Sequence, residues 1–203
     1  MPADESIDEL KAEVNRLKKS ENWLKCINLC REAAGMTGPA NLPDWYWAKS
    51  NLALALTRAD TSQRPQNLEE AVTIYKEILG RLSARVDRFK WAHTHRNLGY
   101  AYDQRSEGNK TENLERMIEH FLQALTVFSR EEFADDWAIT QGALAVAYSE
   151  RHVGEPAENL RLAIQCLEDS MLVLTQERFP EDWQEAEEEL KSLRDRLRAL
   201  KKG

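Results

Sequence analysis

No stretch of this sequence is apolar for long enough to cross a bilayer. Its N-terminus, Met-Pro-Ala-Asp-Glu-Ser, carries acid where a secretory signal carries base followed by a greasy segment. Both absences point to a cytoplasmic protein that does not enter the membrane. Glycine and proline are sparse, eight and six residues among 203, and 42% of the chain is hydrophobic. That mixture favours helices, can bury a core, and excludes a disordered tail. Basic residues are outnumbered, 28 Lys and Arg against 35 Asp and Glu, for a net charge of -7. Phosphate attraction needs a positive field, so a broad nucleic-acid or anionic-membrane surface is disfavoured.

Cysteine is scarce as well. Cys26, Cys30 and Cys166 are odd in number and cannot all pair within the chain. On predicted helices they read as small buried hydrophobes in a reducing compartment. Cys26 and Cys30 have the spacing of a metal half-site, but no second Cys or His pair lies nearby to complete it. Catalytic signatures are missing too. There is no Gly-rich phosphate loop, no His-Glu-x-x-His and no nucleophile elbow. His93 and His95 are two apart on a helix and point to different sides; His120 and His152 read as isolated surface or capping residues. The chain is therefore expected to be non-catalytic, with no cofactor and no metal.

What the sequence does contain is a repeat. Trp45, Trp91, Trp137 and Trp183 follow one another at intervals of 46 residues, and Leu52, Leu98, Leu144 and Leu190 keep the same step. So do Asn67-Leu68, Asn113-Leu114 and Asn159-Leu160. A period of this length marks a solenoid built from one supersecondary unit. Each unit reads as two helices. The first presents Trp45, Ala48, Leu52, Ala55 and Leu56 on one face, answered by Trp91, Thr94, Leu98, Ala101 and Tyr102, then by Trp137, Thr140, Leu144, Ala147 and Tyr148. The second carries Leu68, Ala71, Val72, Tyr75, Ile78, Leu79 and Leu82, a stripe the next two copies match with Ser170 as its single polar member. The turns between them lead into the recurring Asn, read as the N-cap of the second helix, with Glu70 placed to complete a capping box in the first repeat.

The prediction is an all-α fold of about nine helices in antiparallel pairs, an α-solenoid without β-sheet, forming one domain over residues 1–203. A degenerate pair occupies 1–42, full repeats follow at 43–88, 89–134 and 135–180, and a polar capping helix fills 181–203. Each Trp is expected to anchor the start of a first helix against the preceding pair.

These helix pairs resemble the tetratricopeptide repeat. Asn97-Leu98-Gly99-Tyr100-Ala101-Tyr102 matches that family's first-helix signature. Ala71, Tyr75 and Ile78, with Met117, Phe121 and Ala124, match the small–aromatic–small positions of its second helix. The family period is about 34 residues, so this is a longer variant. The family's own Trp position holds Lys49, His95 and Gln141, and its terminal Pro is replaced by Ser83, Ser129 and Thr175. Asp136-Trp137-Ala138, the Glu-Asn-Leu starts at 112–114 and 158–160, and Phe179-Pro180-Glu181-Asp182-Trp183 make it similar to long-period repeats of bacterial proteins that carry a caspase-like CHAT protease domain. That α/β domain is not in this sequence.

The resemblance implies a right-handed superhelix whose first helices line a concave groove for a protein or peptide ligand, as in a scaffold or adaptor. Carried onto this sequence, the groove holds Trp47, Ser50, Asn51, Leu54 and Arg58, then His93, Arg96, Asn97, Tyr100 and Gln104, then Ile139, Gly142, Val146 and Glu150. The Lys and Asn positions with which one family subtype grips a C-terminal carboxylate read here Ser50 and Leu54, Arg96 and Tyr100, Gly142 and Val146. A carboxylate clamp is thus not expected, and Leu54, Tyr100 and Val146 make an apolar line instead. Family association also raises a regulatory subunit of a separately encoded protease or effector. Arg81, Arg85, Arg88, Lys90 and Arg96 raise an RNA-binding solenoid, disfavoured by the overall acidity. Terminal helices with imperfect caps leave room for self-association.

Overall fold

A computed structural model describes residues 6–38 and 40–200. The N-terminal acidic stretch up to Glu5 and the last three positions of the capping-helix segment lie outside the described residues. Among the described residues there are nine α-helices and no strand. They are α1 (Ile7–Lys19), α2 (Trp23–Met36), α3 (Leu42–Arg58), α4 (Arg64–Leu79), α5 (Arg88–Gln104), α6 (Lys110–Leu125), α7 (Ala134–Glu150), α8 (Pro156–Met171) and α9 (Pro180–Leu200). Consecutive helices are joined by short turns and pack as pairs, the architecture of an α-solenoid. The chain divides into two compact units. One runs to Ser83 and includes Gln104–Glu107; the other takes Ala84–Asp103 and the chain from Gly108 onward.

In the first unit α1 opens on a capping box. Ser6 Oγ accepts from the Glu9 N–H at 3.3 Å, and Glu9 Oε2 accepts from the Ser6 N–H at 2.8 Å. Every three or four residues α1 then buries an aliphatic side chain (Leu10, Val14, Leu17). The α2 face opposite is Cys26, Ile27, Cys30 and Ala33. Helices α3 and α4 supply the face the periodicity predicts, with Trp45, Ala48, Leu52, Ala55 and Leu56 against Leu68, Ala71, Tyr75 and Ile78, all at most 4% exposed. Burial of this kind, at roughly 25 cal/mol per Å² of apolar surface, is the main force holding a helix pair together.

The second unit repeats the plan. Leu98, Ala101 and Tyr102 of α5 face Met117, Phe121 and Ala124 of α6, and Leu144 and Ala147 of α7 face Ala163 and Leu167 of α8. Trp91 and Trp137 are half-buried and pack against one cluster of Ala92, Ala124, Val127 and Phe128. Trp45 is 2% exposed, with the Arg81 guanidinium 5.2 Å from its ring centre. Helix α9 buries only Leu190 and Leu193 and exposes acids and bases elsewhere.

The recurring asparagines have a different role from the one read in the sequence. Helix α4 begins at Arg64, α6 at Lys110 and α8 at Pro156, so Asn67, Asn113 and Asn159 each lie a turn inside their helix and are buried. Pro65 and Pro156 explain the earlier start, since proline fits the first helical turn, where a missing N–H breaks no bond. The N-cap of α6 is Asn109, whose Oδ1 accepts from the N–H of Thr111 at 2.8 Å. Asn159 instead ties down the turn before its helix: its Nδ2 donates to the carbonyls of Arg151 at 3.1 Å and Val153 at 2.9 Å. Asn67 Nδ2 donates to Thr61 Oγ1 at 3.3 Å. Glu70 completes no capping box; it pairs with Arg31 at 2.7 Å.

One ion pair also keeps the 46-residue step. Arg105 Nη2 donates to Glu69 Oε2 at 2.9 Å in the first unit, and Arg151 Nη2 donates to Glu115 Oε2 at 2.6 Å in the second. In each pair the acid lies in a second helix and the base is the first residue past the next first helix in the sequence. At the third step the positions hold Arg161 and Leu197, and the series stops.

Candidate interaction surface

The first helices α3, α5 and α7 carry the residues expected to face a ligand, and the structure uses them unequally. In the first unit Trp47 is half-buried and packs against Leu10, Ala33 and Ala48. Asn51 is held twice: its Nδ2 donates to the Trp47 carbonyl at 2.8 Å, and its Oδ1 accepts from Lys18 Nζ at 2.9 Å. Leu54 is half-buried. Gln104 accepts from Arg64 Nη2 at 2.6 Å. Arg58 is exposed and lines an open cavity of about 530 Å³ with Trp23, Leu24 and Asp60.

In the second unit the α5 residues are largely engaged by the fold. Arg96 is 9% exposed; its Nη1 donates to Asp136 Oδ1 at 2.6 Å, and its guanidinium lies 5.3 Å from the centre of the Phe128 ring. Tyr100 packs edge-on against Phe121 with ring centres 5.1 Å apart. His93 stacks on Phe89 at 5.9 Å, and its Nδ1 lies 3.3 Å from Asn97 Nδ2. The structure thus places Arg96 in the packing between α5 and α7 rather than on an open face. Of the rest of the positive run, Arg88 pairs with Glu132 at 2.6 Å and Lys90 with Asp87 at 2.7 Å.

Helix α7 exposes two apolar side chains on one face, as α2, with Leu24 and Met36, also exposes two. Ile139 is 44% and Val146 53% exposed, two helical turns apart. Asp135 and Glu150, both exposed, continue the same face at its two ends. Asp135 is paired with Arg178 at 3.1 Å. Glu150 borders a cavity of about 250 Å³ together with Lys110, Thr111, Leu114 and His152. Gly142 lies between Ile139 and Val146 on the same stripe, and an added Cβ there would stand 3.3 Å from Ser170 Oγ of α8.

His120 is not isolated, as the sequence alone had it. Its Nδ1 is 3.1 Å from His95 Nδ1, and its ring stacks on Tyr102 at 5.6 Å. Burial first, and then the charge of His120, hold His95 down to about 4. No spacing in the sequence signals this pair, since the two residues are 25 apart on separate helices. The three cysteines are buried and unpaired, and burial raises the thiols of Cys30 and Cys166 to about 12. Among the described residues no group of three or more His, Cys, Asp and Glu side chains converges as a metal ion would require.

No family model matches the chain, and no curated protein shows significant similarity to it. The class rests on the fold itself, an all-α helical-repeat protein. Among the described residues no helix is long and apolar enough to cross a membrane.

Proposed function

We propose that this chain is a non-catalytic protein-interaction module that binds a peptide or protein segment on the outward face of its first helices. The observation that carries this reading is the α7 face, where Ile139 and Val146 stand exposed between Asp135 and Glu150. Two apolar anchors spaced by two turns suit a short amphipathic segment, and the flanking carboxylates favour basic residues at its ends. The tetratricopeptide resemblance points the same way, and a cytoplasmic scaffold is the matching cellular role.

The test is a pull-down with the intact chain and with Ile139→Glu/Val146→Glu. A partner recovered by the native chain and lost with the double variant, at unchanged helicity and melting temperature, is the expected result. Equal recovery by both would remove this face from the binding surface.

A further inference from the structure

The seam between α5 and α6 differs from its counterparts in a way that bears on acid. The position of His95 is held by Lys49 one repeat earlier and by Gln141 one repeat later; that of His120 is held by Ile74 and Cys166. In the first repeat Lys49 reaches Glu77 at 2.9 Å, a pair of fixed charges at neutral pH. Only the second repeat sets two imidazoles face to face, Nδ1 to Nδ1, at 3.1 Å.

We propose that this seam is an acid-operated latch, closed while at least one of the two facing Nδ1 atoms is unprotonated and opened when both carry protons. In the neutral pair one ring donates its Nδ1–H and the other accepts on a bare Nδ1. A first proton adds to the donor ring's remote Nε2 and leaves this bond in place, now charge-assisted. A second proton must take the accepting lone pair. Two N–H groups and two like charges then face each other in a half-buried seam, and the bond is gone.

The acids near His95 are already engaged by arginines. Glu119 of α6 favours the charged form of His95, but Arg116 engages it at 3.0 Å. Asp136 of α7 is taken by Arg96, one residue from His95. Tyr102 of α5 stacks on His120. His95 is 9% exposed, with the Trp91 ring edge-on at 4.3 Å, so water does not screen the pair freely. The latch also sits one turn from Gly99, where an added Cβ would meet Phe121 at 2.6 Å. Opening it therefore loosens both helices together.

The sign follows from proton linkage. The seam resists protonation relative to the opened state, so its stability is full above the ordinary imidazole value and falls as pH drops below about 6.5. Amide hydrogen exchange on the intact chain reads this directly, as protection factors of α5 and α6 compared with those of α8. The expected result is a loss of up to about tenfold for each pH unit below 6.5 in α5 and α6, beyond any loss in α8. His95→Gln, which installs the residue of the next repeat, abolishes that excess. Imidazole ¹⁵N shifts of the native chain provide a second readout that needs no variant. They should show one Nδ1–H shared across the pair and a final protonation well below about 6.5. Equal acid loss in His95→Gln and native chains, or two imidazoles titrating independently at ordinary values, overturns the latch.

Discussion

Gly99 and Phe121 meet so closely that a Cβ on the glycine would stand 2.6 Å from Phe121 Cε1. Phe121 is fully buried and is itself pinned by Tyr100, so it has little room to retreat. The neighbouring repeats carry Ala53 and Ala145 at this position, opposite Tyr75 and Leu167. Gly99→Ala should therefore destabilise the second unit by about 1–3 kcal/mol despite alanine's better helix propensity. Gly35 in α2 is the control, with nothing within 4 Å of an added Cβ; there Ala should stabilise by up to about 1 kcal/mol. Urea unfolding of the two variants checks both signs.

Asn159→Ala should lower stability by about 1–3 kcal/mol. The side chain is 4% exposed and is the donor to two turn carbonyls, Arg151 O and Val153 O, which the substitution leaves short of a partner. Thermal unfolding of the variant checks this. Asn159→Asp should be no rescue, because a carboxylate cannot donate to either carbonyl.

Hydrogen bonding to Arg151 holds the Glu115 carboxyl below its ordinary value. The folded state therefore binds that proton more weakly than the unfolded one. The contribution is present above the unfolded carboxylate value, about 4.3, and is lost as pH falls through the lower folded value. Both side chains are partly exposed, so the gain is under about 1 kcal/mol. Glu115→Gln should be less stable than the native chain at about pH 7 and converge with it below about pH 4. Equilibrium unfolding at a series of pH values decides the point.

Tyr75 is fully buried in the first unit, and its hydroxyl makes no hydrogen bond. Thr57 beside it donates its own hydroxyl to the Ala53 carbonyl at 2.8 Å. Tyr75→Phe removes an unsatisfied polar atom and keeps the ring, so stability should hold or rise by up to about 1 kcal/mol. A loss of about 2 kcal/mol in urea would show that the hydroxyl has a partner after all.

The helices are legible because their apolar residues return at helical spacing, and all nine fall within the expected pairs and capping segment. Asn67, Asn113 and Asn159 were misread because an asparagine before an apolar stripe looks the same as a cap and as a buried tie to the preceding turn. In α4 and α8 a proline two or three residues earlier separates the two. The His95–His120 pair was out of reach, because it depends on the rotation of α5 against α6, which no spacing within either helix records. The tetratricopeptide resemblance puts Arg96 on the open face. Its length lets it reach sideways to Asp136 and Phe128, and an ion pair near an aromatic ring outcompetes exposure. Of the positions carried over from the resemblance, Arg58, Ile139, Val146 and Glu150 are exposed.

The Glu–Arg clasps give the repeat a property that packing alone would not. Glu69 with Arg105 and Glu115 with Arg151 make each second helix end-addressed: it displays an acid that the next module answers with a base. A 46-residue cassette cut between modules, such as 89–134, carries the base Arg105 for its predecessor and the acid Glu115 for its successor. Copying residues 89–134 in tandem would thus add a module with both couplings already matched. Arg161, standing where the next acid would be, gives the third module no such coupling to offer.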